Sequence, residues 1–246
     1  MDPLFDFTGK IVLVTGGSRG LGYQMVKAFA TRGADVIVAS RKLENCEAVA
    51  EECRALGRRA LAVAAHVGKW DQCDMLVERA YAEFGRIDIL VNNAGMSPPC
   101  PSHEISEALF DSVMNLNYKG PFRLASQIGH RMAQADGGCI INISSTGALM
   151  ALPGVVPYGG AKAALNAMTV SLSREYAPKV RVNTISAGPF LTDIAGAWGP
   201  ARRHKQPVAL GRPGDPPEIV TAALMLASPA SSYTTGALLR VDGGQR

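Results

Sequence analysis

Seven short runs of this chain are almost wholly apolar, and longer stretches with helical spacing of apolar residues lie between them. The runs cover residues 10–15, 35–40, 60–65, 87–92, 139–144, 180–186 and 238–241. The helical patterns cover 20–32, 44–56, 69–84, 107–135, 158–177 and 217–227. Strands that lack polar alternation need cover on both faces, which is the condition of parallel strands flanked by helices. The alternation therefore predicts an α/β fold, one doubly wound sheet of about seven parallel strands with helices on both faces. No linker or repeat interrupts it, so 1–246 reads as a single domain.

Gly33, Gly57 and Gly85 each follow a helical stretch where a left-handed cap is wanted. Pro121 predicts a kink or a division in the pattern over 107–135. Residues 189–213 do not fit the alternation. They carry Gly196, Gly199, Pro200, Pro207, Gly211 and Pro213, and read as a substrate lid.

Composition excludes several classes. The formal charge of +4 is spread along the chain, and only Arg202, Arg203, His204 and Lys205 form a basic run, which argues against a nucleic-acid partner. The five cysteines, Cys46, Cys53, Cys73, Cys100 and Cys139, form no CxxC pair and no zinc-like grouping; they read as reduced thiols, and no metal site is expected. The uncharged stretch 137–161 contains Asn142, Ser144, Ser145, Pro153 and Pro157, which lipid would leave unsatisfied. With no secretory signal in the acidic first ten residues, the expectation is a cytoplasmic protein with no membrane partner.

After the first strand comes Thr15-Gly16-Gly17-Ser18-Arg19-Gly20-Leu21-Gly22. A helix starting at Gly20 points unpaired N–H groups and its positive dipole end back at this turn, and glycines let the backbone approach a pyrophosphate. The spacing differs from the GxGxxG of the wider Rossmann-fold class. At the end of the second strand, where an NAD site usually puts a carboxylate, stands Ser40-Arg41-Lys42. Arg41, with Arg19, can pair with a 2′-phosphate, and Ser40 can add a hydroxyl donor. This favours NADP(H) over NAD(H).

Tyr158 and Lys162 stand four residues apart in a helical pattern and share one face. They follow an apolar strand ending in Ser144-Ser145. Hydride arrival at a carbonyl builds charge on oxygen, which needs a proton or a strong donor at that moment. A nearby ammonium favours the phenolate and is expected to pull the phenol below its ordinary pKa.

At this point the chain resembles the short-chain dehydrogenase/reductase family, and is similar to its 3-oxoacyl-acyl-carrier-protein reductase-like members. The resemblance runs from the Thr15–Gly22 turn to Val241-Asp242-Gly243-Gly244. It includes Asn92-Asn93-Ala94-Gly95, Asn117-Tyr118-Lys119-Gly120, Ser145, Tyr158-Gly159-Gly160-Ala161-Lys162, and Gly188-Pro189 followed by Thr192. It implies an oxidoreductase acting on CH–OH or C=O, with Tyr158 as proton donor and Lys162 as its electrostatic partner. Ser145 would bond the substrate oxygen, with Ser144 the lesser candidate. Asn117 would anchor a water on the proton path, with Asn115 its rival. The implied cofactor residues are Gly16, Ser18, Arg19, Gly20, Leu21, Gly22, Ser40, Arg41, Val67, Asn93, Ala94, Gly95, Tyr158, Lys162, Gly188, Pro189, Phe190 and Thr192. Thr192 would hold the carboxamide of the nicotinamide. The resemblance also implies a homotetramer.

Two positions depart from the family. His66-Val67 replaces an Asp-Val pair whose Asp contacts adenine, and Ala187-Gly188-Pro189 replaces a leading Pro-Gly.

The expected substrate lining is mostly apolar: Met96, Leu149, Met150, Leu152, Val155, Val156, Phe190 and Trp198. A ketone or 3-oxoacyl thioester fits it better than a small sugar. Residues 202–205 could receive the phosphates of an acyl-carrier arm or form a solvated lid face. The other readings are an NAD(P)-linked alcohol, steroid or sugar-acid dehydrogenase and, from a different class, a non-catalytic dinucleotide-binding sensor.

Overall fold

The computed structural model describes residues 2–245. Seven strands form one parallel sheet: β1 Ile11–Thr15, β2 Asp35–Ser40, β3 Ala60–Ala64, β4 Ile89–Asn92, β5 Gly138–Ser145, β6 Val180–Ala187 and β7 Leu238–Val241. Their spatial order is β3-β2-β1-β4-β5-β6-β7. The order reverses between β1 and β4, and the crevice beyond the carboxyl ends of the strands at that point is where such sheets bind ligands. The expected fold class is present.

The helices are α1 Gly20–Thr31, α2 Leu43–Arg54, α3 Trp70–Phe84, α4 Glu107–Met114, α5 Gly120–Gln134, α6 Val156–Glu175, α7 Pro200–His204 and α8 Val220–Ala227. One apolar cluster packs Met25, Phe29, Cys46, Val49 and Leu224 against one face of the sheet. The other packs Leu76, Leu124, Ile128, Leu165 and Leu172 against the opposite face. Each fully buried side chain of this size contributes about 1.5–3 kcal/mol of transfer free energy. Side chains of β1, β2, β4, β5 and β6 are therefore buried on both faces, which is why those runs lack polar alternation, while β7 at the sheet edge stays partly exposed. Gly33, Gly57 and Gly85 all have positive φ after their helices.

Some boundaries moved. The stretch expected as one helix over 107–135 is interrupted at Asn115–Lys119 by a π-helical segment. Pro121 follows directly, in the first turn of α5. The interruption thus falls just before a residue with no N–H to donate into the helix, and the wider π turn re-aims the side chains around it. Helix α6 starts at Val156, two residues early, and α8 is preceded by a 3-10 turn over Pro216–Ile219. Within 189–213 lie a 3-10 turn, Asp193–Ala197, and α7, neither anticipated from sequence. Among the described residues no helix is long and apolar enough to cross a membrane. No cluster of three or more His, Cys, Asp or Glu side chains could hold a metal there either.

Candidate active site

The turn between β1 and α1 is built by close backbone approach. Gly16 and Gly20 have φ of +64° and +54°, in the left-handed region that favours glycine. A Cβ on Gly22 would stand 2.2 Å from the Gly16 carbonyl oxygen. Arg19 caps α1 without a side-chain hydrogen bond, so the first-turn N–H groups remain available to an anion. Asn93, just past β4, closes the floor: its Nδ2 donates to the carbonyls of Thr15 and Gly16 at 2.9 and 3.3 Å. The N–H groups of Asn93 and Ala94 donate to Thr15 Oγ1. The cradle fits a dinucleotide pyrophosphate at the positive end of α1.

Outward from this turn, Ser18 Oγ donates to Ser40 Oγ at 2.9 Å, and Ser40 Oγ lies 3.0 Å from the buried Cys46 Sγ. Arg41 is exposed beside them. Arg19, expected to pair with a 2′-phosphate, is already engaged: its guanidinium pairs with Asp193 at 2.7 Å, both side chains being about two-thirds exposed. Val67 is buried past the end of β3. His66 folds back on its own turn, its Nδ1 accepting from the Gly68 N–H at 3.2 Å.

At the reacting end, Ser145 is the last residue of β5, and Tyr158 and Lys162 lie in the first two turns of α6. A Cβ on Gly159 would lie 2.8 Å from the Gly147 carbonyl, so glycine there lets α6 close onto the loop after β5. Lys162 is 4% exposed; its Nζ donates to the Ile143 carbonyl at 2.8 Å and lies 5.9 Å from the Tyr158 ring centroid. Ser144 donates its hydroxyl to the backbone carbonyl of Lys162 at 3.3 Å. Ser145 accepts from the Gly147 N–H at 3.1 Å, which leaves its own proton to donate onward.

Burial pushes the Tyr158 phenol above its ordinary value, and the bond from Ser145 pulls it partly back. Burial lowers Lys162 to about 8. The expectation that Lys162 brings the phenol down is not met in the protein alone. Desolvation of both groups outweighs their attraction at this separation.

Asn117 lies in the π segment and is fully buried. Its Nδ2 donates to the carbonyls of Met96 and Val113, each at 2.9 Å, and its Oδ1 accepts from the Met96 N–H at 3.3 Å. The side chain thus clasps the loop after β4. A Cβ on Gly95 would meet Asn117 Oδ1 at 2.8 Å and Lys162 Nζ at 3.5 Å, so these three positions converge. Asn115, the rival, is the half-buried first residue of the π segment.

After β6, Gly188 packs where a Cβ would meet the Asp242 backbone at 2.5 Å. Pro189 accepts from the Gly214 N–H, and Thr192 Cγ2 lies 3.4 Å from the position of a Cβ on Gly20. The segment after β6 therefore reaches the glycine turn. Phe190 corrects the expected lining: its ring is buried in the core against Gly214 rather than open to substrate. Leu149 and Val156 are about half exposed at the mouth. Residues 202–205 are exposed, along α7 and at its C-cap Lys205.

Sequence reasoning missed Asp193, Cys46 and Gln245, whose Oε1 accepts from Thr146 Oγ1 at 2.7 Å. An acid beside the expected carboxamide-binding Thr192 was visible, but its pairing with Arg19 is a tertiary fact.

A glycine cradle at the switch point and a Ser–Tyr–Lys group across the crevice, with Ser145 and Lys162 buried and Tyr158 half-buried, define a dinucleotide-dependent oxidoreductase fold. The profile of the family described as short chain dehydrogenase matches residues 10–203. A 3-oxoacyl-(acyl-carrier-protein) reductase of Chlamydia trachomatis is 38% identical, with 96% of each chain covered. A solved 7α-hydroxysteroid dehydrogenase, complexed with NADH and a 7-oxo bile acid, superposes with a TM-score of 0.94 at 31% identity, covering 99% of this chain and 97% of its own. A blue fluorescent protein from a metagenomic library, in complex with NADPH, superposes at 0.90 with 34% identity, covering 97% and 98%. The chain belongs to the short-chain dehydrogenase/reductase family and is an oxidoreductase of the CH–OH/C=O class.

Proposed function

We propose that the protein is an NADP(H)-dependent reductase of ketones or 3-oxoacyl thioesters, with Tyr158 delivering a proton to the substrate oxygen. The observation that carries the chemistry is the convergence of Ser145, Tyr158 and Lys162 at one buried end of the crevice. The reduced nicotinamide, when bound, supplies the hydride. Ser145, whose hydroxyl proton is otherwise directed at the Tyr158 oxygen, turns it to the substrate oxygen and so orients the carbonyl. Tyr158, held protonated by its burial, gives up its proton as charge grows on that oxygen. Lys162, charged below about pH 8, makes that transfer less uphill and would hold the nicotinamide ribose. Asn117 fixes the Met96 loop and is the candidate anchor for a proton-relay water.

Gly16, Ser18, Gly20, Leu21 and Gly22 would carry the pyrophosphate, with Asn93, Ala94 and Gly95 as floor and Val67 beside the adenine. Gly188, Pro189, the Phe190 backbone and Thr192 would meet the nicotinamide. The absence of a carboxylate after β2, the Ser18–Ser40 pair and the exposed Arg41 support NADP(H). The solved relatives carry NADH in one case and NADPH in the other, so the preference rests on these residues. The homotetramer is proposed through α6, where Val170 is exposed along with Ala163 and Ala167, and through β7, where Leu238 is exposed. Residues 189–213 are proposed as the lid, and the cytoplasm as the location.

A carbonyl panel run with NADPH tests the reading: aromatic ketones, a steroid, a sugar acid and an acetoacetyl thioester. Thioester turnover that exceeds simple ketones and falls with salt supports a carrier-arm role for 202–205. Equal rates without salt dependence remove that role. Preferential oxidation of alcohols or steroids with NAD supports the dehydrogenase reading, for which the similarity to a 7α-hydroxysteroid dehydrogenase is the observation.

A further inference from the structure

The segment that follows β7 reaches the catalytic loop. Gly243 and Gly244 have φ of +66° and +77°, which turn the chain back along residues of the lid's returning limb. The N–H groups of Leu210 and Ala209 donate to the carbonyls of Gly243 and Gly244 at 2.9 and 3.2 Å. Val208 and Gln245 form an antiparallel bridge. A Cβ on Gly244 would stand 2.7 Å from Ala209 Cβ, so this contact leaves no room for a side chain. Asp242 Oδ1 accepts from the Gly244 N–H at 3.0 Å, and the Arg240 guanidinium pairs with Asp242 and donates to the Gln245 carbonyl. Gln245 is thereby fixed at both its backbone groups and its neighbours.

Its side chain then reaches the turn after β5. Thr146, 4% exposed and next to Ser145, donates its hydroxyl to Gln245 Oε1 at 2.7 Å. Thr146 opens the 3-10 turn Thr146–Ala148, and the same turn supplies the Gly147 N–H that orients Ser145 Oγ. Without Gln245 a buried hydroxyl would lose its partner, a cost that a small shift of the turn would relieve. We propose that Gln245 is a positioning residue for the reaction: it pins Thr146, and through that turn aims the Ser145 hydroxyl at the substrate oxygen and Tyr158. The inference rests on the reading of Ser145 and Tyr158 given above.

The test compares Gln245→Met, which removes the acceptor, with Gln245→Glu, which keeps one, and with Thr146→Val, alone and combined with Gln245→Met. Turnover in Gln245→Met should fall about tenfold, as expected when one oriented donor of a proton-transfer site is misplaced, with NADPH Kd unchanged within about twofold. Gln245→Glu should keep most of the activity, and the double variant should be no worse than Thr146→Val. A second readout needs no substrate. The tyrosinate absorbance of Tyr158, taken as the difference from Tyr158→Phe, should appear at higher pH in Gln245→Met than in wild type, because the Ser145 bond that favours the phenolate is weakened. Identical titration and identical turnover in Gln245→Met would overturn the proposal, as would equal losses in the Met and Glu variants that track their melting temperatures. Failure of the carbonyl panel alone would strike the functional reading and leave the tyrosinate test standing.

Discussion

The two ends of the crevice are built on different physics. At the reacting end, Lys162 and Asn117 are almost fully buried and spend their polar atoms on backbone carbonyls of β5, α4 and the loop after β4. At the adenosine end, Arg19, Arg41 and Asp193 stand in solvent, and the Arg19–Asp193 ion pair is exposed. A buried group held by backbone cannot be exchanged without loss of geometry, so the chemistry is fixed by the fold. An exposed charge can be replaced at little cost to stability, so cofactor choice is where the same fold can vary.

The largest test of that contrast is Tyr158→Phe, which removes one hydroxyl at the rigid end. Turnover should drop by about 10³-fold, within the range for loss of a positioned acid, while NADPH binding stays within about twofold. Stopped assays for turnover and fluorescence titration for binding separate the two. A large loss of binding would mean that the two ends are not independent.

Next comes Lys162, where the pH dependence has a definite sign. The ammonium persists below about pH 8 and is lost above it, so reductive turnover should hold on the acid side and decline through about pH 8. Oxidation should rise with pH instead, because Tyr158 must first lose its proton. For stability the unfolded chain binds the extra proton between about pH 8 and the ordinary lysine value near 10.5, so stability rises with pH across that window. The burial cost is fully present below about pH 8 and amounts to about 3 kcal/mol as an order of magnitude. Lys162→Met should therefore raise the melting temperature at neutral pH, lose that advantage at high pH, and abolish the alkaline decline in what turnover remains. A lower melting temperature at neutral pH would contradict this balance of burial against bonding.

Smaller effects belong to the exposed end. Ser40→Asp with Arg41→Ala should weaken NADPH by about tenfold to a hundredfold, the value of one or two charge-assisted bonds, and leave NADH binding equal or better. Turnover at saturating cofactor should change little. Smallest of all is Asp193→Asn: loss of an exposed ion pair should cost less than about 1 kcal/mol of stability by denaturant titration. It should also tighten NADPH by a few-fold, since Arg19 is released to the 2′-phosphate. Weaker NADPH binding in that variant would show that Asp193 helps the cofactor rather than competing for Arg19.

The same contrast explains what could be read from the chain. Wholly apolar runs report strands covered on both faces, so the seven-stranded sheet and the bearing of Gly16, Gly20 and Gly22 were legible. Tyr158 and Lys162 could be placed on one helix face from their spacing, but their roles and the choice of Ser145 came from the family resemblance. The π segment was not, since the signal near Pro121 marks an interruption without its type. Nor was the engagement of Arg19 by Asp193, or of Thr146 by Gln245, because each joins parts of the chain far apart in sequence. The buried ring of Phe190 went unseen for a related reason: an apolar residue in a lid pattern reads alike whether it faces substrate or core.

The most direct measurement is a pair of titrations of the purified protein with NADPH and NADH, followed by turnover of the preferred cofactor in wild type and Tyr158→Phe. NADPH binding at least about tenfold tighter, as a phosphate pairing with one arginine would supply, with turnover lost in the variant, is the expected result. Equal or tighter NADH binding would contradict the reading of Ser40 and Arg41, and undiminished turnover in Tyr158→Phe would contradict the proton donor itself.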